Sequence, residues 1–533
     1  MQAIRAMVNK IRILIFLFLS CPIFLFSQVS TLSVTVSDEN GHPTPVRARL
    51  IDSYGKTGPL PGQAVSVMYG RDDRAEGFGF QPDSSFYVDG QFAVNLPTGD
   101  YTLSLSKGYE YLTQKHEISI SQGENLSYNY RLERWIDMPA RGWYSADDHI
   151  HIRRSPRENP LILKWIAAED IHVGALLQMG DIWTTYFAQY AWGKAGNYRE
   201  QNRLLTPGQE EPRTHEIGHT ISLGADDFVR DQKEYYLYDH VFDRVHELDG
   251  LTGYAHQGMS FHGYRGMTMD ILQQKVDFLE LLQFCVDGGP LLTDHYYFFL
   301  DLGFKLTATA GSDFPWCGKG PRFGVEGAKW SSQIGNARFY TYIPGEFTFE
   351  KWKENFKAGH TFVSSGPVID LRVDGKLPGD ELPVSAGQEV SISVDAFGHE
   401  EQIPLQNLVI IAHGEVIDSI SSTGAGQSAA HLIIKKNLKV DKGLWLAARC
   451  QAGPAQVAHT TPVYITMGDG GFYNRQTLQQ NLDSCEKYLR EIEDAANNPP
   501  DRMDYNAWRQ KDKLLKRITE TRAILPAMNK KYK

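Results

Sequence analysis

The 533-residue chain has only five cysteines, none in CxxC spacing, which excludes both a disulfide scaffold and a thiolate zinc cluster. It carries no excess of basic charge: 54 Lys and Arg stand against 64 Asp and Glu, a net charge of −10. An acidic protein without a basic cluster gains nothing from a phosphate backbone, so nucleic acid is excluded as a partner. Internal repeats and low-complexity segments are absent. The one long apolar run, Ile13 to Phe26, is shorter than the roughly 20 residues a membrane span needs.

That run follows Arg5, Lys10 and Arg12 and precedes Ser27-Gln28, the layout of an export signal. Residues 1–27 are therefore set aside, and the protein is expected outside the cytoplasm (periplasm, cell surface or medium). Cleavage would remove three positive charges and leave a mature charge of about −13. Ser20-Cys21 suits a lipoprotein signal poorly, because the apolar run continues past it. Cys285, Cys317, Cys450 and Cys485 remain, read as mostly buried free thiols with one or two bridges left open.

At roughly 100–200 residues per domain, several domains are expected. Residues 28–136 read as an antiparallel β-sandwich: Leu32, Val34 and Val36 alternate with polar residues, as do Phe92, Val94 and Leu96, then Tyr101, Leu103 and Leu105. Pro97-Thr98-Gly99-Asp100 supplies a turn between the last two. Residues 137–366 switch to alternating strands and helices, which predicts α/β. Residues 367–468 read as a second β-sandwich. Residues 469–533 read as a helical hairpin, with Leu478, Leu482, Cys485, Leu489 and Ile492 at helical spacing.

The stretch 142–151, "GWYSADDHIH", carries the strongest chemical signal. On an extended strand alternate side chains point the same way, so His149 and His151 can face one cation, with Asp147 on the same side. Downstream, Glu210, His219, His256 and Asp313 each lie where a strand gives way to a loop, which is where α/β barrels place their chemistry.

The segments "GWYSADDHIH", "GQEEPRTHEIGHTISLG", "LTGYAHQG" and "TATAGSDFP", in that order, resemble the polymerase-and-histidinol-phosphatase (PHP) superfamily, most of all its CehA/McbA-type metallohydrolases. The resemblance covers about residues 141–367, and "FKAGHTFVSSGP" fits it too. It implies a distorted (β/α)7 barrel, flanked here by the two sandwiches and the helical hairpin. The N-terminal stretch resembles carboxypeptidase-regulatory-like sandwich modules, which implies spacing or docking.

Carried over by motif, His149, His151, Glu210, His219, His256 and Asp313 match the metal ligands, with Glu210 in the bridging place. Two departures stand out. Ile182 occupies the place of a usual histidine after Asp181, and Pro315 that of another after Asp313. Neither can bind metal, so one or two divalent ions are expected rather than three. The all-nitrogen-and-oxygen donor set suits zinc, manganese or iron.

Asp313 would serve catalysis as well as metal. Asp181 reads equally as a proton acceptor, an extra ligand or a turn residue. Arg213, between Glu210 and His219, reads as a binder of anionic oxygen or a structural ion-pair partner. Glu280 is kept outside the ligand set as a buried glutamate bonded to backbone, so Glu280→Gln is expected to matter little. In the aromatic insert Ile182–Pro207, packing on the barrel is slightly favoured over substrate contact. His262, Tyr296 and Tyr297 are weaker candidates for the same cavity.

The function expected is metal-dependent hydrolysis of a phosphoester or a carboxyl ester or amide in a small-molecule or glycan-like substrate. The competing class is a surface binding or scaffold protein with a degenerate metal site. Oligomeric state is not legible.

Overall fold

The computed structural model describes residues 30–68, 79–81, 83–256, 260–284, 291–315, 333–424, 427–453, 455–468, 471–498 and 510–532. The export signal, Cys285 and Cys317 lie outside the described residues. Cys450 and Cys485 are buried free thiols.

Alternating apolar side chains build the N-terminal unit. Ser30–Ser37 runs between Gln91–Leu96 and Asn125–Arg131 in one sheet, and Pro45–Asp52 with Gly99–Ser106 centres a second, four-stranded sheet. Leu32, Val34 and Val36 from the first and Ala48, Leu103 and Leu105 from the second share one core.

The centre of the molecule departs from the expected (β/α)7 barrel. Strand makes up 40% of the structure and helix 22%, and eighteen of the described strands join in a single closed hydrogen-bonded network. Trp143–Ile150, Val173–Gly180 and Arg203–Glu210 do run parallel. Gly218–Leu223 then returns antiparallel beside Arg203–Glu210, and Leu251–Tyr254 is antiparallel to it in turn. The reason is chain length. Only seven residues separate Glu210 from Gly218, whereas a parallel crossover needs about a dozen or more. Arg338–Tyr342 closes on Trp143–Ile150, again antiparallel.

The network also runs through the expected boundary at residue 366. Thr361–Ser364 pairs with Val457–Thr460, so the C-terminal strands extend the same sheet. A separate three-stranded sheet, Val368–Val373, Gln388–Phe397 and His431–Val440, packs on it through Ile369, Leu371, Val390 and Ile392.

Helices Leu478–Asn497 and Lys511–Arg522 lay Leu482, Cys485, Leu489, Leu514 and Ile518 into the central core. No described helix is long and apolar enough to cross a membrane.

Candidate metal centre

His149 and His151 are fully buried near the end of strand Trp143–Ile150. His151 donates from Nδ1 to the carbonyl of Leu177 at 3.0 Å, and His149 from Nδ1 to Glu280 Oε1 at 3.0 Å. Both second nitrogens are thereby left with lone pairs turned inward, the tautomer that metal-binding histidines need. The two Nε2 atoms stand 3.1 Å apart.

Around them the other four candidates close in. Asp313 Oδ1 lies 3.4 Å from His149 Nε2 and 3.2 Å from His151 Nε2. Glu210 Oε2 is 3.4 Å from His151 Nε2 and 3.9 Å from His149 Nε2. A tetrahedral ion held at 2.0–2.1 Å has ligand–ligand edges of about 3.3 Å, so His149, His151 and Asp313 match the edges of one ion, with Glu210 Oε2 close beside His151.

The remaining carboxylate oxygens face a second group. Glu210 Oε1 lies 2.7 Å from His219 Nδ1 and 3.9 Å from His256 Nε2. Asp313 Oδ2 is 3.2 Å from His256 Nε2. Both carboxylates therefore have one oxygen in each group, the arrangement of bridging ligands for a metal pair. Three overlapping buried sets of possible metal donors arise from these residues and Glu280.

Charge balance agrees with this geometry. Burial alone would push the Asp313 carboxyl up, but His149, His151 and His256 outweigh it and hold the group well below the carboxylate range. Burial would push His149 down, yet Asp313 and Glu280 drive it up. The cluster is arranged for positive charge at its centre.

Backbone geometry helps place the donors. His256 (φ 58°) and Asp313 (φ 51°) both sit in the left-handed region, a conformation that costs non-glycine residues energy and concentrates at functional sites. Gly311 lets the Asp313 loop approach: a Cβ there would lie 2.3 Å from that of His149 and 2.5 Å from Asp148 Oδ1.

Asp147 is no ligand. Its Oδ1 accepts from the backbone N–H of His149 and Ser312, and its Oδ2 from Gly335. Simple alternation fails because pairing with Val173–Gly180 slips between Asp147 and Ile150; such a bulge re-aims side chains. Asp147 instead ties the loop before Asp313 to the HxH strand.

Glu280 is more than a glutamate bonded to backbone. Fully buried, it accepts from the His256 N–H at 2.6 Å, from Gln283 Nε2 at 2.8 Å and from His149. Glu280→Gln keeps one acceptor oxygen and turns an NH2 either toward His149 Nδ1 or toward the His256 N–H and Gln283 Nε2. It is expected to lower metal affinity about 10- to 100-fold, contrary to the sequence expectation, as titration with a fluorescent zinc chelator would show. Nothing in sequence spacing marks this contact, because it joins positions 131 residues apart.

A cavity of about 510 Å³ opens over the cluster, lined among others by Met179, Asp181, Tyr186, Arg213, His215 and Phe261. Arg213, with a side chain 23% exposed, holds Nε 3.9 Å from Glu210 Oε2. Asp181 lies at the cavity wall, with Oδ1 accepting the N–H groups of Trp183 and Thr184, as a turn residue does. Phe261, which the sequence did not single out, stacks on His219 with ring centres 4.1 Å apart.

Other candidates lie elsewhere. Tyr296 donates to the Leu306 carbonyl, Tyr297 bonds His459, and neither lines the cavity; nor does His262, which bonds the His215 carbonyl. Within the insert, Phe187 is buried against His151 and Trp192 packs on Phe228.

No protein-family profile and no curated protein matches the chain. Among solved structures, it is similar to the sulfur carrier protein SoxY from Chlorobium limicola f thiosulfatophilum: 15% identity over 18% of this chain and 88% of that one, TM-score 0.13. It is also similar to BcpA, the major pilin subunit of Bacillus cereus: 6% identity over 83% of this chain and 70% of that one, TM-score 0.25. These likenesses are too slight to say what the chain does.

Proposed function

We propose that the chain is an exported, metal-dependent hydrolase of ester-type bonds. The observation that carries this reading is the pair of carboxylates, Glu210 and Asp313, each shared between two groups of buried imidazoles. The hydrolytic part rests on the likeness of the four motifs to PHP metallohydrolases, without the barrel that the likeness implied.

His149, His151, Glu210 and Asp313 would hold one divalent ion, zinc, manganese or iron. Glu210, Asp313, His219 and His256 would hold another. Such ions supply Lewis acidity, activating water and polarising the substrate's oxygen.

The chain's own residues do the rest. Arg213 offers a partly exposed guanidinium beside the cluster, placed to hold an anionic oxygen, which favours a phosphoester over a neutral carboxyl ester or amide. Asp181, at the wall with one oxygen engaged in its turn, is placed to accept a proton from the substrate's side of the cavity. Burial around His149 and His151 excludes bulk water from the donors.

Mature protein purified without added metal is expected to carry one to two equivalents of divalent ion and to cleave a chromogenic phosphodiester faster than the matching carboxyl ester. Elemental analysis with a two-substrate assay tests this. Stoichiometric metal without turnover of any ester, phosphoester or amide in a broad panel would favour the scaffold reading, whose support is Ile182 and Pro315 in place of two ligands.

A further inference from the structure

Each of the two donor groups has a phenylalanine ring laid against one of its histidines. Phe187, fully buried, tilts against His151 with ring centres 5.2 Å apart. Phe261 lies flat on His219, with ring centres 4.1 Å apart and planes at 11°. His149 and His256 stack instead on each other.

Phe261 is the member of the pair that burial does not account for. Its φ of 53° and that of His262, also 53°, are both left-handed, and two such residues in succession cost free energy. Taking the ring out of water would offset that cost, yet Phe261 stays 41% exposed and lines the cavity. Among the described residues its closest ring partner is His219, while His215 and His256 stand at 5.9 and 6.1 Å.

The segment is fastened to the hairpin that leads into His219. His262 Nδ1 donates to the His215 carbonyl at 3.0 Å, and Thr214 pairs with Gly218 across that hairpin. Gly218, just before His219, lies so near that a Cβ on it would stand 2.4 Å from Gly263 Cα. Backbone contact thus holds the two stacked rings from both sides.

What the stack fixes is the plane of the imidazole. His219 Nδ1 lies 2.7 Å from Glu210 Oε1, and a turn of the ring about its own axis would carry that nitrogen away from the carboxylate. A flat partner at van der Waals distance resists such a turn.

We propose that Phe261 is a positioning residue for the second metal position: it holds the His219 ring in the plane that keeps a nitrogen beside Glu210, and so sets the affinity of that position independently of the first. The inference rests on the paired-metal part of the reading above and not on hydrolysis.

Cobalt(II) titration of metal-stripped, full-length mature protein, followed by calorimetry and absorption, tests it. Wild type is expected to take up two ions. Phe261→Ala should keep the first at wild-type affinity and weaken the second about 10- to 100-fold, the scale of an outer-shell loss. Phe261→Leu, which keeps apolar bulk without a flat face, should behave as alanine does, and Phe261→Tyr should restore the second ion. Thermal unfolding of the metal-free variants should match wild type closely, because the ring is half in water.

Equal second affinities in wild type and Phe261→Ala, or a Phe261→Leu protein that matches wild type, overturn the inference and leave the metal pair standing. Equal weakening at both positions overturns it too, since that marks general damage to the cluster. A wild type that takes up fewer than two ions lacks the second position, which overturns the metal pair and this inference together.

Discussion

Alanine at Asp313 is expected to empty both metal positions, because its two oxygens face different groups of imidazoles. Alanine at His149 should empty the first position, and alanine at His219, bonded to Glu210 Oε1, only the second. Outer-shell changes already cost about 10- to 100-fold in affinity, so losing a direct donor should exceed that and abolish any hydrolysis. Thermal unfolding should move little, since the cluster rests on strands held by their own cores. Metal-to-protein ratios by plasma mass spectrometry read the result directly. Equal stoichiometry in wild type and Asp313→Ala would sink the shared-carboxylate arrangement.

The second large effect lies far from the cavity, where the N-terminal unit meets the central sheet. Asp170 is fully buried between Arg134 of the N-terminal unit at 3.2 Å and Arg203 of the central sheet at 2.7 Å. Lys107 lies close by, donating to the carbonyls of Pro45 and Ala167, one on each side of the junction. Burial would push the Asp170 carboxyl up, but Arg134, Arg203 and Lys107 outweigh it and hold it far below the usual range.

Asp170→Asn keeps the shape, and asparagine tolerates the positive φ of 52° at this position. It removes the charge that balances the half-buried Arg203 and the buried Lys107, while Arg134 keeps Glu110 at 2.6 Å, and the loss is expected to cost about 3–5 kcal/mol. A carboxyl whose folded pKa is depressed stabilises the fold above its unfolded value of about 3.9 and loses that contribution as pH falls below it. The gap between wild type and variant in urea should therefore be full at pH 7 and shrink below about pH 4. A gap under about 1 kcal/mol at pH 7 would mean that Asp170 is not what couples the two units.

Sequence reading found the six ligand candidates because each sits in its own short motif, and motif order survives any fold that gathers strand ends. It misplaced the architecture for a physical reason. Strand–helix alternation looks the same whether the next strand runs parallel or turns back, and only the short 211–217 connection betrays the return at Gly218. Asp147, which alternation places on the HxH side, bonds the backbone N–H groups of His149, Ser312 and Gly335, contacts that spacing does not show. Glu280 is buried and bonded to backbone as expected, but its contact with His149 was not legible because the two lie 131 residues apart. The Asp170 cluster was invisible: Lys107, Arg134, Asp170 and Arg203 are four unremarkable charges until two units meet.

The pairing of Thr361–Ser364 with Val457–Thr460 bears on how the chain can be divided. A product ending near Gly366 would expose the free edge of Thr361–Ser364, a row of unpaired N–H and C=O groups that invites association with other chains. It would also uncover Phe362 and Val363, both fully shielded in the intact chain. The half that holds the buried histidine–carboxylate cluster thus shares a sheet with the C-terminal strands, and a gene fragment ending near Gly366 is expected to aggregate.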